Sequence, residues 1–499
     1  MPRSNQSHRV LIGLEIHVQL ATASKMFTAV ANASGSLKPG MEPPSPNSAV
    51  DAQILGLPGT LPVINRTAVE YSIKVGLALG CTISRFTKWD RKSYYYPDLP
   101  KNYQISQYDL PLCYDGRFDM VDESGEPFSV RIRRAHLEED AGKLLHEAPG
   151  GYPIDHSIVD LNRAGTPLLE IVTEPDFTAA RQVALFAQEL QKLVQFLGVS
   201  EGQMQLGQMR FEPNINVHIT DSAGQVHKTA ITEIKNLNSF SVLERATAYE
   251  ITRQLREWEE TGSLGTKATR GWDETSGTTF LQREKEEAHD YRYFPDPDLV
   301  PVVVDEAWLM ELKAQVGEMP ADRKKRYLEQ YRLTMEQATI LSSDRRLGDF
   351  FDGCLVNRAK PERVATLLLS HGLRLANSRG RPLYELGIDP SAVDIVAGAI
   401  DLDHIAAASA GPIFDYLVDH PGAGVDAAID ALGLRQTSDV SAVDAAIDAL
   451  IAQNPKSLQD FRAGKQAAFG SLVGMIMKGP GGRGLNPKVV QERLRERLA

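Results

Sequence analysis

An α+β fold with an antiparallel sheet over roughly the first three hundred residues, followed by two all-helical domains, is what this 499-residue chain predicts. Three observations carry that prediction. Apolar and polar residues alternate in short runs over 9–298, a proline-dense stretch follows at 294–304, and beyond it the spacing turns helical with no convincing strand.

The elements follow in order. Residues 1–8 are polar and read as a disordered tail. The run V-L-I-G-L-E-I-H-V-Q-L at 10–20 puts Val10, Ile12, Leu14, Ile16, Val18 and Leu20 on one face of a strand, with Glu15, His17 and Gln19 on the other. L-G-L-P-G at 55–59 is a turn. Glu70–Leu79, Thr178–Leu197 and Ser239–Glu260 have helical spacing; in the last, Phe240, Leu243, Ala246, Tyr249 and Ile251 fall near one face. Arg210–Ile219 alternates as a strand. F-P-D-P-D-L-V-P-V-V-V at 294–304 breaks both helix and sheet and sets the end of the first domain, 9–298. The helical domain, 299–406, contains Asp305–Gln315, Ala321–Tyr331 and Pro361–Leu375 as helices. The tail domain, 407–499, is rich in Ala and Asp and holds V-D-A-A-I-D-A-L twice, at 425–432 and 443–450. Two copies read as two similar amphipathic helices, because a solenoid needs at least three repeats.

A formal charge of −11, from 54 Lys+Arg against 65 Asp+Glu, excludes a protein that coats nucleic acid by overall charge alone. The charge is unevenly laid out. Residues 391–460 hold eleven aspartates against Arg435 and Lys456, whereas 461–499 hold eight Lys/Arg against Glu492 and Glu496, a basic end suited to an RNA backbone. Apolar residues at 42% and charged ones at 24% describe a globular chain. Cys81, Cys113 and Cys354 are too scattered for a disulfide framework or a cysteine zinc site. No apolar h-region follows the start, and no apolar run reaches the roughly 18 residues of a membrane span, so a cytoplasmic protein without membrane contact is expected.

Four stretches could carry chemistry. Glu15 and His17, about 7 Å apart on one strand face, suit a divalent cation such as Mg²⁺; a half-exposed strand with a wet side is the plainer reading. In R-I-R-R-A-H-L-E-E-D-A-G-K at 131–143, consecutive acids repel one another unless a cation or basic groups offset them. They either complete a Mg²⁺ site, with Lys143 or the arginines meeting phosphate, or form a solvated acidic loop. The segment 160–176 sets Asn162 and Arg163 before a glycine turn and embeds Glu170 among Leu168, Leu169, Ile171 and Val172, where an acid needs a partner or a cleft. In 207–219, Arg210, Glu212, Asn214, Asn216 and His218 share a face, as a polar cleft wall or a structural ladder. Between these, 85–108 interleaves five basic residues with five tyrosines, which grip phosphate and stack on bases but equally fill interfaces. No P-loop, Rossmann fingerprint, G-x-S-x-G elbow or paired Cys/His nucleophile is present.

Read jointly, IGLEIHVQL at 12–20, SKMF at 24–27, LGLPGTLPV at 55–63, DRKSYYYPDLPKNYQISQYDLP at 90–111, HLEEDAGK at 136–143, DLNRAGTPLLEIVTEPD at 160–176, TEIKNLNSF at 232–240 and DYRYFPDPDL at 290–299 carry a resemblance. The sequence resembles the GatB family, the B subunits of the tRNA-dependent glutamyl/aspartyl amidotransferases, and its last ninety residues look like that family's tail domain. The resemblance implies a cradle-shaped catalytic domain and a ligase reaction in two steps. ATP with Mg²⁺ phosphorylates the side-chain carboxylate of Glu-tRNA(Gln) or Asp-tRNA(Asn), and ammonia then displaces the phosphate. It implies a heterotrimer with the glutaminase GatA, which supplies the ammonia through a channel, and the small protein GatC, with misacylated tRNA bound by the tail domain. By motif position it implies Glu15, His17 and Glu139 as Mg²⁺ ligands, Glu170 in the same site and Lys88 facing phosphate or the ammonia path. Arg210, Lys143, Asn162 and Asn214 are then the candidates for holding the nucleotide. Many family members carry two cysteine pairs that bind zinc. Here Thr28, Val30, Asp51 and Ile54 stand at those positions, so no zinc is expected, and the Pro/Gly/Ser-rich 34–48 is expected to be a mobile loop. Two other readings compete: a non-catalytic tRNA-binding or assembly subunit of the same architecture, and a stand-alone ATP-dependent ligase, weakened by the lack of an ammonia-generating group.

Overall fold

A computed structural model describes residues 5–38, 40–121, 126–148, 151–284, 291–356, 360–436, 440–454, 466–479 and 484–498. The chain divides into two units, Met1–Met319 and Pro320–Ala499. The first opens with β1 (Asn5–Gln19) and α1 (Arg66–Ala78), whose N-cap Asn65 accepts the Ala68 N–H. Short strands β2 (Thr82–Ile83), β3 (Phe86–Thr87), β4 (Asp90–Ser93) and β5 (Tyr103–Ser106) follow. Then come β6 (Cys113–Val121), β7 (Pro127–Glu139) and a hairpin of β8 (Lys143–Ala148) and β9 (Tyr152–Asp160). β10 (Pro167–Thr173) leads into α2 (Ala180–Phe196), and β11 (Met209–Asp221), β12 (Val226–Lys228) and β13 (Thr232–Lys235) precede α3 (Phe240–Thr261). β14 (Ala268–Asp273), β15 (Thr278–Glu284), β16 (Phe294–Pro295), β17 (Val302–Val303) and α4 (Glu306–Val316) complete the unit.

Among the described residues the main sheet runs β15-β14-β13-β11-β1-β10-β7-β6-β2, with β12 beside β11. Its neighbours are antiparallel as expected, with one exception. β13 and β14 run parallel, because α3 lies between them in sequence and supplies the long crossover that a parallel pair requires. Val10, Ile12, Leu14, Ile16 and Val18 of β1 are buried, as is Leu20 just beyond it, and α1, α2 and α3 join the same core through Ile73, Phe186, Leu190 and Leu243. The opposite face of β1 is thereby left to Glu15, His17 and Gln19.

Three expected boundaries move. β1 begins at Asn5 and pairs with β11 from Asp221 onward, so residues 5–8 are strand rather than tail; residues 1–4 lie outside the described residues. The prolines at 295–301 turn the chain without ending the unit: Val302 pairs with Thr87, and Val304, Leu312 and Val316 enter the first core. The boundary therefore falls at 319/320, not near 298. In the second unit, α5 (Pro320–Glu329), α6 (Met335–Ser343), α7 (Arg345–Gly353), α8 (Pro361–Leu367), α9 (Leu373–Arg379), α10 (Pro390–Asp401), α11 (Ala410–Asp419) and α12 (Val425–Ala431) share a core running from Tyr327 to Ile429. A separate core joins α13 (Val440–Gln453), α14 (Gln466–Lys478) and α15 (Pro487–Leu498). The expected break at 407 thus shifts past 431, since α11 and α12 bury Ile413, Phe414 and Ile429 against the preceding helices. The two V-D-A-A-I-D-A-L copies are both helical, one in each core. No described helix is long and apolar enough to cross a membrane.

Phe186 of α2 is fully buried and meets Phe177 and Phe118 edge-on, with ring centroids 5.3 and 5.9 Å away. Phe186→Ala should cost about 3–5 kcal/mol of stability in the first unit, measured as a shift of its denaturant unfolding transition.

Candidate active site

Register across the sheet assembles the polar face. His17 of β1 lies opposite Arg210 of β11 on one side and Glu170 of β10 on the other, and Glu170 lies opposite His136 of β7. Directly opposed residues share a face, so Arg210, His17, Glu170 and His136 form one transverse row. Glu15 sits opposite Glu212 in the next row, and Glu138, two residues beyond His136, lies on the other side. His17 Nε2 is 3.7 Å from Glu170, 3.8 Å from Glu15 and 3.9 Å from Glu138. Two triads, Glu15–His17–Glu212 and His17–Glu138–Glu170, bring their potential ligand atoms within 4.8 Å of one another. These separations are too long for hydrogen bonds and leave room for a cation between the groups.

Of the sequence-predicted cation ligands, Glu15 and His17 come together with Glu170, and Glu139 does not join them. The pairing of β7 with β10 slips by one residue between Ile132, opposite Thr173, and Arg134, opposite Val172. That bulge reverses which parity faces the core: Val130 and Ile132 are buried before it, Ala135 and Leu137 after it. His136 and Glu138 consequently point to the site. Glu139 points away, where its carboxylate pairs with Lys101 and accepts the Ile105 N–H at 2.9 Å. Uninterrupted alternation read from the sequence assigns these acids to the wrong faces. The one available signal was Glu170, whose apolar surroundings demand partners on the neighbouring strands.

Burial and mutual repulsion set the charges. Burial lifts Glu15 to about 7, helped by Glu170, and does the same to Glu138. For Glu170 burial opposes ionisation, but the positive charges of His17 and Lys92 outweigh it and hold the carboxyl well below its usual range. Burial likewise works against a charged His17, yet Glu170 and Glu212 raise it to about 9, whereas burial drops His136 to about 4. Without a bound cation His17 is therefore the imidazolium of the row and His136 the neutral ring, and a cation ligated by His17 would have to displace that proton.

Beside the row lies an open cleft of about 650 Å³ whose charged lining is Lys143, Arg163, Arg210 and Lys235 against Asp160 and Glu212, the last paired with Lys235. Three predicted nucleotide contacts, Lys143, Asn162 and Arg210, border it. Asn162 is committed to the loop beneath: its Oδ1 accepts the Ala49 N–H (2.8 Å) and its Nδ2 donates to the Ser45 carbonyl (2.7 Å). Asn214 lies on the same face opposite Gly13, outside the cleft lining. Lys88 is held between Asp90 and Asp109, away from the acids of the row. The lysine that senses those acids is Lys92: burial would lower it, but Glu138, Tyr293 and Glu170 raise it, and its ammonium lies 5.0 Å from the Tyr291 ring. At the positions of the family's zinc cysteines, Thr28 donates to Asp51, Asp51 also accepts the Ile54 N–H at 2.9 Å, and Ile54 packs with Leu161 and Ala164. The 34–48 stretch, expected to be mobile, is tied at its end, where the Asn47 side chain donates to the Val159 carbonyl and accepts the Leu161 N–H.

A mixed sheet that gathers carboxylates around one imidazole beside a cleft with cationic side chains, with helical domains following in sequence, fits an enzyme better than a simple binding module. Sequence comparison makes the class specific. Residues 10–310 match the GatB/GatE catalytic domain, and residues 349–498 match the GatB domain. The B subunit of the aspartyl/glutamyl-tRNA(Asn/Gln) amidotransferase of Carboxydothermus hydrogenoformans is 41% identical over 495 residues, covering 99% of both chains. Its counterparts in Caldanaerobacter subterraneus, 40% identical over 492 residues and 99% of each chain, and in Moorella thermoacetica, 41% identical over 495 residues, 98% of this chain and 100% of the relative, agree. The chain belongs to the GatB family, and its role is that of a component of a tRNA-dependent amidotransferase.

Lys101 and Glu139 form a pair whose side chains are only 8% and 2% exposed. Lys101→Met should strand the carboxylate and cost about 3–5 kcal/mol, read as a lowered thermal midpoint, whereas replacing both partners with apolar residues should recover most of it.

Proposed function

We propose that His17, Glu15, Glu138 and Glu170 hold a Mg²⁺ ion, that the adjoining cleft takes ATP, and that this chain phosphorylates the side-chain carboxylate of Glu-tRNA(Gln) or Asp-tRNA(Asn) before ammonia forms the amide. One observation carries the reading: a histidine ringed by three acids at 3.7–3.9 Å, beside a cleft lined by four cationic side chains. Hard carboxylate oxygens with one imidazole fit the donor chemistry of Mg²⁺. The ion would supply positive charge where carboxylates alone repel both a triphosphate and an acidic substrate. Lys143, Arg163, Arg210 and Lys235 offset phosphate charge, and positioning with charge neutralisation is most of what phosphoryl transfer demands. In the second step the ammonia nitrogen attacks the acyl carbon, phosphate leaves, and the proton shed by nitrogen passes to a neighbouring carboxylate. Lys92, among tyrosines next to these acids, takes the place at the ammonia approach that the motif pattern suggested for Lys88.

The relatives are named as one subunit of an amidotransferase, which supports an assembly of several chains: a glutaminase partner, GatA, releases ammonia, and GatC completes a cytoplasmic heterotrimer. No zinc is required, because the Thr28–Asp51 hydrogen bond and the Ile54 contacts close the segment that cysteines would otherwise clamp. The C-terminal core contributes to tRNA binding. Of its basic residues, Arg462, Lys465 and Arg483 lie outside the described residues, and Arg493, Arg497 and Lys488 are paired with Asp444, Asp448 and Asp403.

In the reconstituted complex, Glu15→Ala, His17→Ala and Glu138→Gln should each slow ATP-dependent phosphorylation of the charged tRNA at least about hundredfold, equivalent to about 2.7 kcal/mol of barrier. Glu139→Gln should keep the wild-type Mg²⁺ requirement within about twofold. A His17 variant that phosphorylates at the wild-type rate refutes the assignment, and amide formation on each of the two charged tRNAs identifies the substrate. Deleting 440–499, which removes one core and spares the other, should weaken tRNA affinity about tenfold while complex assembly persists; unchanged affinity removes the tail from the RNA interface.

A further inference from the structure

Asp140 is the third acid of the 138–140 run, and neither the cation site nor the nucleotide contacts assigned above use it. Its placement is over-determined. The Asp140 N–H donates to the Thr166 carbonyl (2.9 Å), and its own carbonyl accepts the Gly165 N–H (2.8 Å). Gly165 has φ +80°, and a β-carbon there would come within 2.5 Å of Ile54 Cδ1, so the turn that fixes Asp140 needs glycine. Arg163 braces the following turn by donating to the Ala141 and Gly142 carbonyls at 2.9 and 2.6 Å. Held in this frame, Asp140 is 4% exposed and accepts the Ala141 N–H on Oδ1 at 3.0 Å. Oδ2 takes the Gln19 Nε2 donor at 2.8 Å and the Arg210 Nη2 donor at 3.0 Å.

Asp140 is thus a buried anion gripping one corner of a guanidinium that lines the cleft. Arg210 Nε is buried and has no hydrogen-bond partner, so the fork is only partly engaged within the chain. Arg210 is also flanked by Glu212 and Glu138, two acids that would draw it out of line if Asp140 released it. A planar guanidinium recognises phosphate oxygens only when its fork is aimed, and aiming it takes a fixed counter-anion on the far corner.

We propose that Asp140 is a positioning residue for the nucleotide, holding Arg210 in the orientation in which its fork meets the triphosphate. This rests on the reading of the cleft as the ATP site. The test uses the complete complex, with KM and kcat for ATP measured in amide formation for Asp140→Asn, Arg210→Ala, the double variant and Gln19→Ala. Asp140→Asn should raise the KM for ATP about tenfold with kcat changed less than about threefold, and Arg210→Ala should raise it at least as much. Because Asp140 acts through Arg210, the double variant should match Arg210→Ala within about twofold. Gln19→Ala keeps both charges and loosens Asp140 only on its neutral side, so it should raise the KM about two- to threefold. It serves as the reading if Asp140→Asn does not assemble. A raised KM in Arg210→Ala with wild-type KM in Asp140→Asn and Gln19→Ala overturns the positioning role, as does a fully additive double variant. A wild-type KM in Arg210→Ala overturns the cleft assignment itself, which separates the failure of one reading from that of the other.

Discussion

A one-residue slip where β7 pairs with β10 governs what the polar face of the sheet contains. Without it, His136 and Glu138 would follow Val130 and Ile132 into the core, and Glu139 would follow Arg131 and Arg133 out of it. With it, Glu170 gains an imidazole neighbour on each side, and Glu138 reaches His17 from beyond the row. Ala135 and Leu137 take over the apolar packing that the displaced parity would have lost. The bulge therefore serves core and site together, and neither could move without the other.

Buried acids lie on this face and behind it, and each is answered differently. Glu170 lies between two histidines, Glu139 is sealed against Lys101, and Asp140 faces Arg210 and Gln19. Asp140 is held down to about 2, with burial opposing and the guanidiniums of Arg210 and Arg163 prevailing. Glu15 and Glu138 have the weakest answers, and it is these two that burial pushes up toward neutrality. In a low-dielectric setting an unmatched carboxylate is costly, so the two least compensated acids are where a bound cation would be most stabilising.

The second unit redistributes charge in another way. The acidic block and the basic end are far apart in sequence, but α13 and α15 set Asp444 and Asp448 against Arg493 and Arg497, and Asp403 meets Lys488. These are surface pairs of small individual value, yet they neutralise much of the described basic end within the chain itself. Its linear net charge overstates the free positive charge of this end.

Much of the first unit was legible in the sequence. The strand at 10–20, the helices near 66–78, 180–196 and 240–261, and the polar face of 210–218 all follow from periodicity, which reports a local fact about which side chains must be buried together. By motif position the resemblance named Glu15, His17 and Glu170, which the sheet brings together, and also Glu139 and Lys88, which it does not. What periodicity cannot encode is a change of phase inside a strand, or which strand lies alongside which. The bulge that exchanges Glu138 for Glu139, the burial of Lys92 near the acids while Lys88 stays with Asp90, and the merging of 299–319 with the first core all depend on contacts between residues distant in sequence. Alternation along one strand states only that two faces exist; the register with its neighbours decides which residues share them, and that was settled only when the sheet closed around Glu170.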